Sequence, residues 1–304
     1  MQTRRDFVKA SAAVSAAVLG GSAQGVLAAA QAAKTDTAAG KGGSKMRFGL
    51  VTYLWAKDWD LPTVLANCRK AGYPGVELRV EHAHKVEPNL TMEQRKEVRK
   101  RFADSGIIFV GPGTNEQYDH LDPLRLAQAV TRTYEYIKLS HDCGGIGVKV
   151  KPNNLHKEVP QEKTCEQIGK SLNLVGRIAA DYGQVIRVEV HGDCAPLPIM
   201  KQIFDFVEHP AVKMCWNCND EDLGGQGLEA NFNLVKDRFA DTVHVRELNI
   251  GKYPYQQLID LFVRMDYKGW ILLEARTTPK DPIAALIEQR QVFEKMVKDA
   301  QGRG

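Results

Sequence analysis

Short apolar runs recur along this chain at a nearly constant interval, and in its second half each run carries a polar residue near its end. Glu189, Asn217, His244 and Glu274 lie in the runs VIRVEVHGD, AVKMCWNCND, DTVHVRELN and GWILLEAR. They are separated by about 28, 27 and 30 residues, the length of one strand, one helix and their loops. Polar groups at the same end of successive parallel strands meet at the mouth of a barrel. The sequence therefore predicts an α/β fold, a single (β/α)8 TIM barrel with a metal-type site at its C-terminal mouth.

Eight apolar, β-branched runs are each followed by a segment with helical periodicity. The predicted strands cover residues 47–52, 75–80, 107–111, 145–150, 185–190, 212–216, 242–248 and 270–275. A doubly wound sheet would also alternate strands with helices, but it usually carries a glycine-rich phosphate loop after its first strand. Here that position reads VTYLW, and the chain contains neither GxGxxG nor GxxxxGK[ST]. The barrel is therefore the favoured fold.

The first 30 residues predict an export signal that is not part of the fold. TRRDFVK at residues 3–9 has the twin-arginine form, a weakly apolar stretch follows to Leu19, and the alanines at 28–30 offer a cleavage site. The alternative is a basic N-terminal helix. Residues 31–45 have the composition of a disordered linker. We expect a barrel over residues 46–304 in a periplasmic or otherwise exported protein. The apolar stretch is too short for stable membrane insertion once the signal is removed.

Charge and cysteine usage exclude several other classes of protein. The net charge is +4, and the basic residues of the barrel alternate with acids on predicted helices, which is typical of solvated helix faces and not of a nucleic-acid-binding surface. Six scattered cysteines are too few for a disulfide framework in a domain of this size. The lone CxxC at Cys215 and Cys218 is a weak zinc signal, and no GxSxG nucleophile motif is present. We expect a small-molecule partner and no nucleic acid.

The order of the four strand-end motifs resembles the xylose isomerase-like TIM barrels, the sugar phosphate isomerase/epimerase superfamily, over residues 46–297. The resemblance implies one divalent ion held by Glu189, Asn217, His244 and Glu274. It also implies that Glu189 and Glu274 move the substrate proton, and that the chain forms a homo-oligomer, as relatives often do. Such ligands suit Mn²⁺, Mg²⁺, Co²⁺ or Zn²⁺. An ion of this kind can polarise a carbonyl and stabilise the enediolate left after α-proton removal.

The sixth strand departs from the family pattern, because the family has Asp where this chain has Asn217. An Asn carbonyl can still bind a metal, but one negative charge is lost from the site. Asp220, which stands where many members have His, is a candidate for the missing carboxylate, and Asn219 is another candidate ligand. A lower metal affinity is therefore expected.

Further polar and aromatic residues lie at predicted strand ends. The candidates for substrate binding are His191, Lys149, Lys151, Trp216, Asp220, Glu247, Tyr53 and Glu77. His191 shares the inward face with Glu189 and either contacts the substrate or metal, or is a structural histidine bonded to a carboxylate. Glu247 either orients His244 or caps the following helix.

For the other candidates a structural role is open as well. Lys149 and Lys151 alternate on the fourth strand and either hold a substrate group or are solvated. Glu77 alternates with Arg79, and an ion pair between them is the alternative to a site role. Tyr53 and Trp216 either stack on a sugar or pack in the core.

The function indicated is an exported, metal-dependent sugar isomerase or epimerase that acts on a sugar or polyol by proton transfer next to a carbonyl. The closest alternative is a lyase or dehydratase that forms the same enediolate from an oxidised (keto) sugar or glycoside. A non-catalytic sugar-binding barrel is the alternative of another class. A multi-zinc phosphodiesterase of the endonuclease IV kind needs more His and Asp ligands than these strand ends provide.

Overall fold

A computed structural model describes residues 44–303 of the chain. The predicted export signal and almost all of the predicted linker lie outside these residues, so both stay predictions. Within residues 44–303, eight parallel strands form one closed barrel in sequential order, β1 to β8. Each strand is followed by an α-helix. The predicted (β/α)8 fold is therefore confirmed. None of the described helices is both long and apolar enough to cross a membrane.

The strands are short and the helices vary in length from two to six turns. The strands are β1 Arg47–Val51, β2 Gly75–Arg79, β3 Ile108–Gln117, β4 Gly147–Lys151, β5 Val185–Glu189, β6 Val212–Asn217, β7 Phe239–Val245 and β8 Trp270–Leu273. The helices are α1 Leu61–Ala71, α2 Met92–Ser105, α3 Pro123–Cys143, α4 Gln161–Asp181, α5 Leu197–Asp205, α6 Leu228–Val235, α7 Tyr255–Arg264 and α8 Pro282–Gln301. Short 3-10 helices at Asp220–Leu223 and Lys236–Arg238 flank α6.

The largest errors in the predicted strand boundaries occur in two strands. Strand β3 continues well beyond Gly111, to Gln117, because a register shift against β2 between Val76 and Glu77 accommodates its glycine-rich middle. Strand β7 begins and ends three residues earlier than predicted. The residues after Val245 leave the strand, since the side chain of Glu247 bonds to the loop after β8.

Local sequence signals account for several helix ends. Asp60 and Asp122 accept hydrogen bonds from backbone N–H groups of the first turns of α1 and α3, and each helix has a proline in that turn. Thr91 and Gln94 form a reciprocal capping box at the start of α2. Gly144 ends α3 in the left-handed conformation that glycine adopts most easily. These caps fix where the chain turns back toward the barrel.

The interior of the barrel below the mouth is filled by large side chains that fit against glycines. Trp270 and Leu272 of β8 occupy the space left by Gly49, where an added Cβ would lie 2.7 Å from Leu272 Cδ2. Arg187 is fully buried and holds Asp241 through two parallel hydrogen bonds of 2.7 and 2.8 Å. The floor is therefore closed, and inward-facing residues above it line a single mouth.

Candidate active site

Four polar residues that recur in the sequence lie together at the C-terminal ends of β5 to β8. Glu189, Asn217, His244 and Glu274 are all buried, and Asn217 lies beside His244 in the β6–β7 register. They face the barrel interior because inward positions alternate along a strand, as Leu272 and Glu274 illustrate. One ligand atom each of Glu189, His244 and Glu274 lies within 4.8 Å of the others. The geometry thus brings the predicted cluster together at one end of the barrel.

Glu189 is the centre of this cluster and uses its two oxygens differently. Its Oε2 lies 2.6 Å from Nζ of Lys149, which is itself buried and also donates to the carbonyl of Thr114. Its Oε1 accepts a 3.0 Å hydrogen bond from Nδ2 of Asn217 and lies 3.6 Å from Nδ1 of His244. Lys149 is therefore part of the site and is not a solvated strand-end lysine.

His244 is held from the opposite wall of the barrel. Its Nε2 lies 3.2 Å from Oε1 of Glu77 on β2, and both side chains are fully buried. A carboxylate next to one ring nitrogen fixes the orientation of the imidazole and leaves the other nitrogen free to bind a cation. Here that other nitrogen is Nδ1, which points toward Glu189. Glu77 therefore contacts His244 and does not form the alternative ion pair with Arg79.

The charges and distances of the cluster fit a divalent cation. Glu77, Glu189 and Glu274 bring three buried carboxylates, and Lys149 supplies one compensating ammonium. With a neutral imidazole, two negative charges remain, which one divalent ion would balance. The 3.6 Å separation of His244 Nδ1 and Glu189 Oε1 is too long for a hydrogen bond. It suits two ligands that are each about 2.1 Å from a shared ion.

The pKa values of the two glutamates that face the mouth, Glu189 and Glu274, are shifted in opposite directions. Burial raises the pKa of Glu274, and repulsion from Glu189 raises it further. Burial would also raise the pKa of Glu189, but Lys149 and His244 together hold it well below its ordinary value. Two carboxyl groups with separated pKa values can take different roles in proton transfer. Glu274 is the better proton acceptor of the pair.

Asn217 donates hydrogen bonds beside Glu189, and its role as a metal ligand stays a prediction. Its Nδ2 donates to Glu189 Oε1 and to the carbonyl of Val190, so two acceptors orient the amide with a donor toward the cluster. Asn219 likewise donates to Val190 O and Asn217 O. Asp220 is exposed and lies outside the Glu189, His244 and Glu274 group. Asn217 therefore positions Glu189, and neither neighbour supplies a replacement carboxylate.

The two aromatic candidates lie on opposite sides of the barrel wall. Trp216 is fully buried against Phe232 and Phe239, between the strands and the helices, because it precedes the inward-facing Asn217 by one position. Its predicted contact with a sugar is therefore wrong, and strand alternation alone could have shown this. Tyr53 is half-buried and packs on the interior cluster that includes Trp270. Because Tyr53 follows the C-terminal end of β1, it lies at the mouth, and its contact with a sugar stays a prediction.

Glu247 stabilises a loop and does not orient His244. Its Oε1 accepts hydrogen bonds from the backbone N–H groups of Arg276 and Thr277 at 3.0 and 2.7 Å and from Thr277 Oγ1 at 2.6 Å. It thereby ties the segment after β7 to the segment after β8. The predicted pairing with His244 is wrong, since Glu77 occupies that position.

The ends of β2 to β5 form the other half of the mouth. His191 is half-buried and bonds through Nδ1 to Asn153 Oδ1 at 2.9 Å, not to a carboxylate. Lys151 and Arg79 both donate to Oδ1 of Asn115, at 3.3 and 2.7 Å. Asn115 and Asn153 were not identified from the sequence, because both lie in segments without a regular apolar pattern.

The 3-10 helix after β6 carries a buried carboxyl group, that of Asp222. Asp222 Oδ2 accepts hydrogen bonds from Tyr253 Oη at 2.6 Å and from the backbone of Asn219 at 3.0 Å. Burial raises the pKa of Asp222 to about 7. The folded protein therefore retains a proton that the unfolded chain releases near pH 4, so the contribution of Asp222 to stability falls as pH rises from about 4 to about 7.

We expect Asp222→Asn to remove this loss. An Asn oxygen can accept both hydrogen bonds without a charge, so the stability of the variant relative to the wild type should rise between pH 4.5 and pH 8 by roughly 2–4 kcal/mol. Urea unfolding at pH 4.5, 6 and 8 measures the difference, with Asp220→Asn on the exposed neighbour as the control. Parallel pH profiles for the wild type and Asp222→Asn would contradict the shifted titration.

Sequence and structure comparisons agree on the class of protein. The model of the xylose isomerase-like TIM barrel family matches residues 65–296, and the chain belongs to this family. Solved structures with the same fold include an L-ribulose 3-epimerase, with a TM-score of 0.73, 16% identity, and coverage of 85% of this chain and 96% of that one. A 3-keto-D-glucoside 4-epimerase from E. coli has a TM-score of 0.69 and 15% identity, with coverage of 83% of this chain and 100% of that one. A D-allulose 3-epimerase from Methylomonas sp. has a TM-score of 0.70 and 14% identity, with coverage of 83% of this chain and 98% of that one. No curated protein sequence matches the chain significantly.

Proposed function

We propose that the protein is a metal-dependent sugar epimerase or isomerase that moves a proton on the carbon next to a carbonyl. The observation that carries the proposal is the pair of buried carboxylates, Glu189 and Glu274, at one barrel mouth with the imidazole of His244 between β5 and β8. The three sugar epimerases named above share the fold, which supports this class of reaction.

The chain's own residues divide the work of proton transfer. Lys149 and Asn217 hold both oxygens of Glu189 in fixed directions, so this carboxylate is held rigidly in place. Glu274 lacks such a lysine partner and has the raised pKa expected of a group that accepts a proton and returns it. Return of the proton by Glu274 to the neighbouring carbon would give an isomer. An epimer requires a second group to deliver a proton to the opposite face of the carbon, and Glu189 would be that group in this site.

Glu189, His244 and Glu274 would hold the divalent ion. When bound, it would polarise the substrate carbonyl and so make the adjacent proton more acidic. Glu77 would keep His244 Nδ1 directed toward that site. Free or oxidised sugars are favoured over sugar phosphates as substrates, because the N-terminal sequence predicts export from the compartment where phosphorylated sugars are mostly made.

Deuterium incorporation from solvent tests the proposal. The full chain with Mn²⁺ is expected to exchange the proton next to the carbonyl of D-fructose, D-allulose or a 3-keto-glucoside in D₂O, as measured by NMR. Chelation with EDTA should lower that rate at least about 10²-fold, and added Mn²⁺ should restore it.

The products separate the candidate functions. An epimer or isomer supports the proposal, whereas an unsaturated product with loss of a leaving group shows a lyase. Sugar binding without exchange in the metal-loaded protein would contradict the proposal and identify a binding barrel.

A further inference from the structure

Two cationic side chains on the β2–β4 side of the mouth have no acidic partner in the part of the chain that the structure describes. Arg79 and Lys151 end β2 and β4, and both are half-buried. Among residues 44–303, no carboxylate lies within 4.0 Å of either cationic group, although such pairs occur at many other Arg and Lys residues of the chain. Both donate to one neutral oxygen, Oδ1 of Asn115.

This arrangement is electrostatically unbalanced in the absence of an anion. Two like charges converge on a single amide oxygen, and the nearby Lys149 adds a third that is already paired with Glu189. Burial and the proximity of Lys149 lower the pKa of Lys151 to about 8. An anionic group at this position would be bound by a planar guanidinium and an ammonium at once, which is a strong form of recognition.

From this geometry we infer that Arg79 and Lys151 bind a carboxylate carried by the substrate, so that the preferred substrate is a sugar acid of the keto-uronate class. The inference rests on the proposed function and adds the substrate class to it. A carboxylate is favoured over a phosphate ester, because phosphate sites in such barrels are usually formed by backbone amides after β7 and β8. The cations here end β2 and β4. The acid group would lie on this side of the mouth, across from Glu274 on β8.

Matched ligands and an isosteric variant test the inference. Binding of D-fructuronate, D-fructose and D-fructose 6-phosphate to the Mn²⁺-loaded full chain is measured by isothermal titration calorimetry. D-Fructuronate differs from D-fructose only by a carboxylate in place of a hydroxymethyl group. We expect it to bind at least about tenfold more tightly, with an advantage that shrinks as NaCl is raised.

Asn115→Asp is the sharpest variant, since it removes no cation and changes an exposed residue. It supplies an internal carboxylate to Arg79 and Lys151 and should abolish the preference for D-fructuronate over D-fructose. Lys151→Met should act in the same direction. Lys170→Met, on the exposed face of α4 and paired with Glu166, is the control that should retain the preference.

The outcomes of the two proposals are distinguishable. Equal affinity for D-fructuronate and D-fructose, or an unchanged preference in folded Asn115→Asp, overturns the carboxylate subsite even if deuterium exchange proceeds. Tightest binding of D-fructose 6-phosphate also overturns it. A preference for D-fructuronate that Asn115→Asp removes, in a protein that exchanges no deuterium, supports the subsite and contradicts the proposed reaction.

Discussion

Glu274→Gln is expected to lower the rate of deuterium exchange by about 10²–10⁴-fold, which corresponds to roughly 3–5 kcal/mol of activation free energy. Gln is nearly isosteric with Glu but cannot accept the substrate proton. The loss should appear in kcat at saturating Mn²⁺, so that a weakened metal site does not account for it. Measurement of exchange by NMR, with bound Mn²⁺ determined on the same sample, gives both quantities.

The change should affect chemistry and not folding. Glu274 repels Glu189 in the folded protein, so removal of its charge is expected to leave the unfolding midpoint unchanged or higher. Glu221→Gln, an exposed acid on the 3-10 helix after β6, is the matched control and should exchange at the wild-type rate. Exchange at that same rate by folded Glu274→Gln would show that another group moves the proton.

Gly111→Ala is expected to destabilise the barrel by more than about 4 kcal/mol, a loss large enough to unfold many domains of marginal stability. Gly111 has φ 140°, a backbone conformation that side chains rarely adopt. An added Cβ would also collide with the backbone carbonyl oxygen of Gly147 on the neighbouring strand β4. Because that oxygen belongs to the barrel wall, it cannot move away without separating the strands.

Gly106→Ala separates the free-energy cost of the backbone conformation from the cost of the steric collision. Gly106 ends α2 with φ 71°, and nothing lies within 4 Å of its hypothetical Cβ. The same substitution there should cost only about 1–2 kcal/mol, from the backbone conformation alone. Urea unfolding of both variants measures the difference. Similar losses at the two positions would mean that the close approach of β3 to β4 relaxes easily.

Several features of the site were predictable because strands alternate. The phase of the apolar runs directs Glu189, His244 and Glu274 inward, and their spacing assigns them to the ends of β5, β7 and β8. The same alternation directs Trp216 outward, because it is next to the inward-facing Asn217. The predicted sugar contact of Trp216 was wrong because it did not take the phase of β6 into account.

Contacts across the barrel were not predictable in the same way. Glu77 lies far from His244 in the sequence, and only closure of the sheet brings β2 opposite β7. The two oxygens of Glu189 bind different partners, Lys149 and Asn217, and this too depends on side-chain directions inside the closed mouth. Glu247, which follows His244 by three residues, turned away because its carboxylate satisfies backbone donors of the next loop.

The sequence by itself determined the repeating βα unit, the number of strands and the inward phase of Glu189, His244 and Glu274, because apolar periodicity and strand phase are local properties. The tertiary structure decided which charges face one another: Glu77 with His244, Lys149 with Glu189, and Arg79 and Lys151 with no acid among residues 44–303. These pairings depend on distances across a closed barrel about one side chain wide, and such distances exist only after all eight strands have closed.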